Sequence, residues 1–215
     1  MNSPGLALRL AAADLYRNSW RLVPQNAALG AVFVAVTVSG AAVHAAFVLI
    51  VLAGPLAAAL VHSAVTLVRT GNLELRDALD GLRLHWRRGL ALGAGGAALV
   101  GLGAFAVPFY ARFSFGWPLV FVTIYLLVLL GVYQLLVWTL AVAEPGRSLR
   151  DALRDAAVLI AQRPGATLLL GLALLLVNVA GIAAAVMPFL TLTVAYSCVA
   201  AARFALPRSE TEESV

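Results

Sequence analysis

GPLAAALVHSAVTLVRTGNLELRDALDGLRLHWRR, residues 54–88, is the stretch whose reading decides the fold. Its first half carries no formal charge before Arg69. Its second half is charged and periodic. Leu75, Leu79, Leu82 and Trp86 recur at steps of four, three and four. Arg76, Asp80, Arg83 and Arg87 follow the same steps on the opposite face, the pattern of an amphipathic helix. The pattern predicts a membrane helix that leaves the bilayer at Arg69 and continues as a helix on the membrane surface. Pro55 stands about 21 Å from Arg69 at helical rise. A proline there removes a backbone donor and predicts a kink or break in the span.

Composition supports a bilayer setting. The 215 residues are 62% hydrophobic and 12% charged, against roughly 25% charged in soluble domains. Mean hydropathy is +0.95. The net charge of +5 comes from arginine alone, because no lysine occurs. That usage points to a high-GC, bacterial genome. The arginines flank apolar runs, so membrane topology accounts for them and nucleic-acid binding does not. Cys198 is the one cysteine, which excludes an intrachain disulfide and a zinc-finger pattern. The N-terminal segment, with Asp14 and several arginines spread through it, does not read as a signal peptide.

Working outward, residues 4–22 form a helix capped by Ser3 with Pro4 in its first turn. Asp14, Arg17, Asn18 and Arg21 fall on one face, Leu8, Ala11, Ala12, Leu15 and Leu22 on another. Such a helix lies in the interface with its apolar side down. Residues 27–68 contain no Asp, Glu, Lys or Arg. One span needs about 20 residues, so this run makes two, about 27–44 and 46–68, turning near Ser39-Gly40. The third span, 89–111, carries Gly89, Gly93, Ala97 and Gly101 at a spacing of four, which lets helices approach closely in lipid. A fourth span occupies 118–143. Ser148 and Asp151 make a capping-box-like start for an amphipathic helix over 148–162. Two more spans, 165–186 and 188–206, turn near Met187-Pro188-Phe189. The expected fold is all-α: a polytopic membrane helix bundle of six transmembrane helices plus interfacial amphipathic helices. It forms a single domain over 1–207, followed by a disordered acidic tail, 208–215, with Glu210, Glu212 and Glu213.

Leu75-Arg76-Asp77-Ala78-Leu79 is repeated as Leu149-Arg150-Asp151-Ala152-Leu153. Each copy is followed by an arginine and a glycine, then by Pro-Phe at 108 and 188. The N-terminal helix with its two spans fits the same plan, which predicts a threefold pseudo-repeat of surface helix, span, turn and span. All arginines but Arg112 lie in the N-terminal segment, the two amphipathic segments or the C-terminal exit. An arginine excess marks the cytoplasmic side, so a multi-pass protein of the bacterial cytoplasmic membrane with both termini cytoplasmic is expected.

No reaction chemistry is legible. The glycine-rich run 93–103 lacks the order and the Lys-Ser/Thr of a phosphate loop. No Ser-His-Asp set, paired intramembrane carboxylates or nucleophile elbow occurs. No catalytic residue, cofactor or metal is therefore expected. His44 and His62 are intramembrane ionisable groups, but they sit at opposite depths on successive spans and share no metal on that geometry. Gln134 and Asn178 either hydrogen-bond between helices or line a solute path. Arg76, Arg83, Arg87, Arg150 and Arg154 form the expected surface for a partner or anionic lipid.

The stretch from Gly54 to Leu92 resembles the YesL-like family of bacterial membrane proteins. The features are Gly54-Pro55 with Ala57-Ala58-Ala59-Leu60, the exit Leu67-Val68-Arg69-Thr70-Gly71-Asn72, and the helix running to Trp86 and Gly89. The region from Leu15-Tyr16-Arg17 to Asn26 is similar as well. Asn26 is followed by Ala27-Ala28 where many relatives carry Leu-Trp. The resemblance implies no catalytic residues and an accessory role beside carbohydrate ABC-type importers. The leading expectation is a non-enzymatic membrane protein with lipid and an ABC transporter or other membrane protein as partners. The alternative is a small-solute permease or channel.

Overall fold

The computed structural model describes residues 2–38, 43–113, 115–144, 146–184 and 187–206. Among them all regular structure is helical: α1 (Pro4–Arg17), α2 (Ser19–Val38), α3 (Val43–Thr70), α4 (Leu75–Ala111), α5 (Trp117–Ala143), α6 (Leu149–Gln162), α7 (Pro164–Ala183) and α8 (Val194–Ala205). A π-helical turn, Phe189–Thr193, runs directly into α8. Four stretches are long and apolar enough to cross a membrane: Val51–Thr70, Leu75–Ala111, Trp117–Ala143 and Pro164–Ala183; Leu190–Ala205 is a shorter apolar helix. This is an architecture compatible with a multi-pass membrane protein. The Ser39-Gly40 turn and the 208–215 tail lie outside the described residues.

The 54–88 stretch folds as a helical hairpin. Gly71 adopts a φ of 71°, the left-handed conformation that suits glycine after a helix. Its N–H bonds to Leu67 O at 2.9 Å. The Glu74 N–H donates to Asp77 Oδ2 at 2.7 Å and starts α4. A link this short returns the chain antiparallel beside the helix it left. The register follows from close approaches: Gly81 lies against His62, Gly89 against Pro55 and Gly54, and Gly93 against Val51 and Gly54.

Two expectations change here. The segments 73–88 and 89–111, read as a surface helix and a separate span, are one uninterrupted helix. Its 37 residues extend about 55 Å, about 25 Å beyond the hydrocarbon thickness of about 30 Å. The charged half therefore runs antiparallel along the C-terminal half of α3. The expected kink or break at Pro55 is not a chain break either, because α3 is helical from Val43 to Thr70. Proline leaves the Val51 carbonyl without its i+4 donor, and Gly93 packs onto that carbonyl. A Cβ on Gly93 would lie 2.9 Å from Val51 O.

The buried face of α4 also differs from the leucine stripe. Gly81, His85, Gly89, Leu92, Gly93 and Ala97 are buried, whereas Leu75, Leu79 and Trp86 are exposed. Helix-to-helix contact through small residues outweighs the apolar stripe because glycine lets two backbones meet.

The N-terminal helix expected over 4–22 is two helices. Asn18 closes α1, its amide Nδ2 donating to Asp14 O at 3.1 Å. The Leu22 N–H then bonds to Asn18 O at 3.1 Å as α2 begins. The apolar side of α1 faces protein rather than lipid: Ala7 and Ala11 are fully buried, and α1 packs on α8. Ser3 caps α1 by accepting from the Leu6 N–H at 3.4 Å, and Ser148 caps α6 by accepting from the Asp151 N–H at 3.1 Å.

The molecule has two zones. Around the C-terminal half of α3, helices α3, α5 and α8 pack on one another, with Leu60, Leu67, Leu136, Val137, Val199 and Phe204 buried. The apolar character of 58–68 thus answers to a protein core, not to lipid. Beyond this core, Val100, Phe105, Phe121, Val122, Leu169, Leu172 and Leu176 face outward, an apolar band suited to acyl chains. Phe113, Phe115 and Trp117 crowd the α4–α5 link, the kind of aromatic cluster found at membrane interfaces.

Candidate functional site

The charged end of the bundle separates its arginines into two groups. One group stitches helix ends together. Arg21 Nη1 donates to Asn72 Oδ1 at 3.0 Å and ties α2 to the α3–α4 link. Arg69 Nη1 donates to Ala143 O at 2.8 Å. Arg88 donates to Ala141 O at 2.7 Å, Glu144 O at 3.2 Å and Arg147 O at 2.6 Å. Two guanidinium groups thus cover the carbonyls that the end of α5 leaves without intrahelical donors, where the helix dipole also favours a cation. Arg203 Nε donates to Asp14 Oδ2 at 2.8 Å and joins α8 to α1. Arg147 pairs with Asp155 and, at 3.4 Å, with Glu144.

The second group points away from the fold. Arg76, Arg83, Arg87, Arg150 and Arg154 are all exposed. Arg76 meets Asp80 at 3.6 Å across one helical turn. The Arg87 guanidinium lies 5.2 Å from the Trp86 ring centre. Beside these charges stand exposed Leu75, Leu79 and Trp86 on α4, and Leu153 and Val158 on α6. Cationic and apolar side chains are therefore exposed together on α4 and again on α6. The five residues singled out from sequence fall at this end, on α4 and α6. Arg69, Arg88 and Arg203, grouped with them by sign alone, are structural.

The intramembrane polar residues are consumed internally. Gln134 Nε2 donates to Leu92 O at 2.7 Å and links α5 to α4. Asn178 Nδ2 donates to Leu174 O at 2.7 Å and to Ser197 Oγ at 2.9 Å. Thr193 Oγ1 donates to Asn178 Oδ1 at 2.9 Å, and Ser197 Oγ donates to Thr193 O at 2.8 Å. This closed set ties α7 to the π-helical turn and α8. Asn178 and Ser197 line an open groove of about 380 Å³ between α5 and α7, otherwise lined by apolar side chains and glycine. Asn178→Leu is expected to destabilise the protein by about 1 kcal/mol, the scale of interhelical hydrogen bonds in membranes. Unfolding midpoints in detergent would show it, and an unchanged midpoint would mean that the network contributes nothing.

The histidines regroup. The side chain of His44 lies outside the described residues. His62 meets His85 instead, with ring centres 5.3 Å apart and planes inclined by 47°. The sequence does not bring the two together when 73–88 is read as a helix separate from the preceding span. A signal existed: with only Gly71–Glu74 between two helices, facing positions share a constant sum of residue numbers. Among the described residues no group of three or more His, Cys, Asp or Glu is placed to hold a metal. Comparison of the chain with protein-family models, curated proteins and solved structures found no match.

Proposed function

We propose that this chain is a non-enzymatic, six-span protein of the bacterial cytoplasmic membrane that docks a membrane partner through its charged end. The observation that carries the reading is the division among the arginines. Arg76, Arg83, Arg87, Arg150 and Arg154 remain exposed on α4 and α6 beside exposed leucine and tryptophan. The polar residues able to line a solute path are bonded within the bundle. An exposed cationic and apolar surface suits an acidic partner or anionic headgroups. The YesL-like resemblance directs the proposal to a carbohydrate ABC-type importer as that partner.

The six spans are α2, α3, the outer part of α4, α5, α7 and the final helix including the π-helical turn, with both termini cytoplasmic. A threefold plan is supported by lengths and packing. Helices α1 and α6 each have 14 residues, and α2 and α7 each have 20. Helices α1, α4 and α6 each rest on the second long helix of the preceding unit: α8, α3 and α5. On this plan α1, the first half of α4 and α6 surround one central trio, and the repeated Leu-Arg-Asp-Ala-Leu places arginines in corresponding positions on α4 and α6.

The test is affinity isolation from native membranes in mild detergent. Wild type is expected to bring down a stoichiometric membrane partner, and a variant with Arg76, Arg83, Arg87, Arg150 and Arg154 changed to glutamate is expected to lose it. Recovery of wild type alone contradicts the reading. The permease alternative is favoured by the open groove that Asn178 lines. Flux across proteoliposomes that depends on Gln134 or Asn178 would establish that alternative, and no flux across a broad solute panel would remove it.

A further inference from the structure

A further exposed face lies on the side of α1 opposite the buried Ala7 and Ala11, away from the docking surface on α4 and α6. Arg9, Ala12, Ala13, Tyr16, Arg17 and Trp20 are all exposed there, at the three- and four-residue spacing of one helical face. Tyr16 is 86% and Trp20 60% exposed. The face continues into α2. The Asn18 N–H bonds to Asp14 O at 3.0 Å and the Leu22 N–H to Asn18 O at 3.1 Å, so the helical register nearly carries through the junction. From Trp20 the exposed positions run on as Pro24, Ala28, Ala31 and Ala35, none of them charged. The cationic part of the stripe carries no acid. Asp14, the one acid of α1 and α2, is turned to Arg203. Among the described residues no ion pair joins Arg9, Arg17 or Arg21 to a carboxylate. Arg21 donates instead to neutral Asn72, and its guanidinium lies 4.4 Å from the Trp20 ring centre. That contact positions the indole from the α3–α4 link.

Taking α2 as a membrane span, and independently of the surface on α4 and α6, we propose that this face binds the anionic phospholipid headgroups of the cytoplasmic leaflet. Arg9 and Arg17 take the phosphates, and Tyr16 and Trp20 sit at the boundary between headgroup and acyl chain. Guanidinium groups hold phosphate oxygens through paired N–H donors. Tyrosine and tryptophan favour the level where ring carbons meet lipid tails and the polar tip meets water. Continuity selects lipid over a protein partner. Along one stripe the residue types pass from cationic to aromatic to apolar, the order of a bilayer read from headgroup to core. From Trp20 to Ala35 the apolar part extends about 22 Å, most of a hydrocarbon thickness of about 30 Å. On α4 and α6, by contrast, Asp80 and Asp151 are exposed among the arginines, so those helices offer no face free of acids. An interfacial helix ordinarily seats its apolar side in the lipid. Helix α1 gives that side to α8 and meets the headgroups with the other.

The test reads Trp20 fluorescence in lipid vesicles. The full-length chain with Trp86→Phe, Trp117→Phe and Trp138→Phe keeps Trp20 as its single tryptophan. Trp138 is buried, so the difference between wild type and Trp20→Phe gives a second readout that leaves the core unchanged. Each chain is reconstituted in equal mixtures of phosphatidylglycerol and phosphatidylcholine, with bromine on the acyl chains of one lipid or the other as a contact quencher. Both brominated lipids are expected to quench Trp20, phosphatidylglycerol the more, with an anionic preference of at least about fivefold. Arg9→Gln together with Arg17→Gln is expected to remove the preference while Trp20 stays quenched. No quenching by either lipid, quenching without headgroup preference, or a preference indifferent to the two arginine changes would each overturn the assignment. An unquenched Trp20 would also count against α2 as a span, whereas the other two failures leave the spans intact.

Discussion

Replacing Gly54 by leucine is expected to lower stability by about 3 kcal/mol or more, the upper part of the range for overpacked sites. A Cβ at this position would meet the Gly89 carbonyl oxygen well inside van der Waals contact and lie 2.8 Å from the carbonyl carbon. These are backbone atoms, which cannot rotate aside as a side chain can. Relief requires α3 and α4 to separate, and separation would undo the Gly89, Gly93 and Gly81 contacts together. Gly89→Leu should do the same, since its Cβ would lie 2.8 Å from Pro55 Cα. Gly101→Ala supplies the contrast. Nothing stands within 4 Å of its added methyl, so the change is expected to be neutral or to stabilise by up to about 1 kcal/mol through helix propensity. Thermal unfolding of the three variants in detergent checks the set. Similar midpoints for Gly54→Leu and Gly101→Ala would remove the close backbone contact from the account.

The second large effect concerns the two ends of the described chain. Asp14 and Arg203 form a pair whose side chains are 15% and 7% exposed. Asn2 Nδ2 also donates to Arg203 O at 2.9 Å, and Tyr196 Oη donates to Leu8 O at 3.1 Å. Helix α1 is therefore held to α8 by polar groups sheltered from water. Removing one member of a buried pair leaves the other charge uncompensated and costs about 3–5 kcal/mol. Asp14→Ala and Arg203→Ala are each expected near the lower end, about 3 kcal/mol, because part of Asp14 reaches solvent. The double change to leucine is expected to cost less than either single change, since two apolar groups have no charge to strand. Unfolding free energies around this cycle test the pair. A single-variant cost below about 0.5 kcal/mol, the scale of an exposed ion pair, would mean that α1 is held by something else.

Helix identity was largely legible because helical periodicity, Ser3 and Ser148 caps and Gly71 are local signals. What was not legible is which apolar stretches meet lipid and which meet protein. Residues 58–68 are as apolar as a span, yet Ala58, Leu60, Ala64 and Leu67 are buried by α4, α5 and α8. Hydropathy does not distinguish these two apolar surroundings. The same limit applies to charge. Arg83 and Arg88 differ by five positions, but only Arg88 reaches the end of α5, and that follows from the α4–α5 register. The divided 4–22 helix depends on one side-chain bond from Asn18 to Asp14 O, and Asp14 is sheltered because Arg203 arrives from far along the chain. At the candidate site, the exposed arginines were recognisable from the amphipathic pattern, whereas the His62–His85 contact required the hairpin register.

The hairpin is the feature from which the docking surface and the histidine pair both follow, and spin labels at Leu56 and Arg87 measure it directly. If α4 lies beside α3, these backbone positions are separated by about the interaxial distance of 8–10 Å, and dipolar broadening is strong. If residues 75–88 instead turn away along the membrane surface from Arg69, the same positions stand about 25 Å apart or more by helical rise. The account predicts the short distance in detergent and in lipid bilayers, and the long one would contradict it.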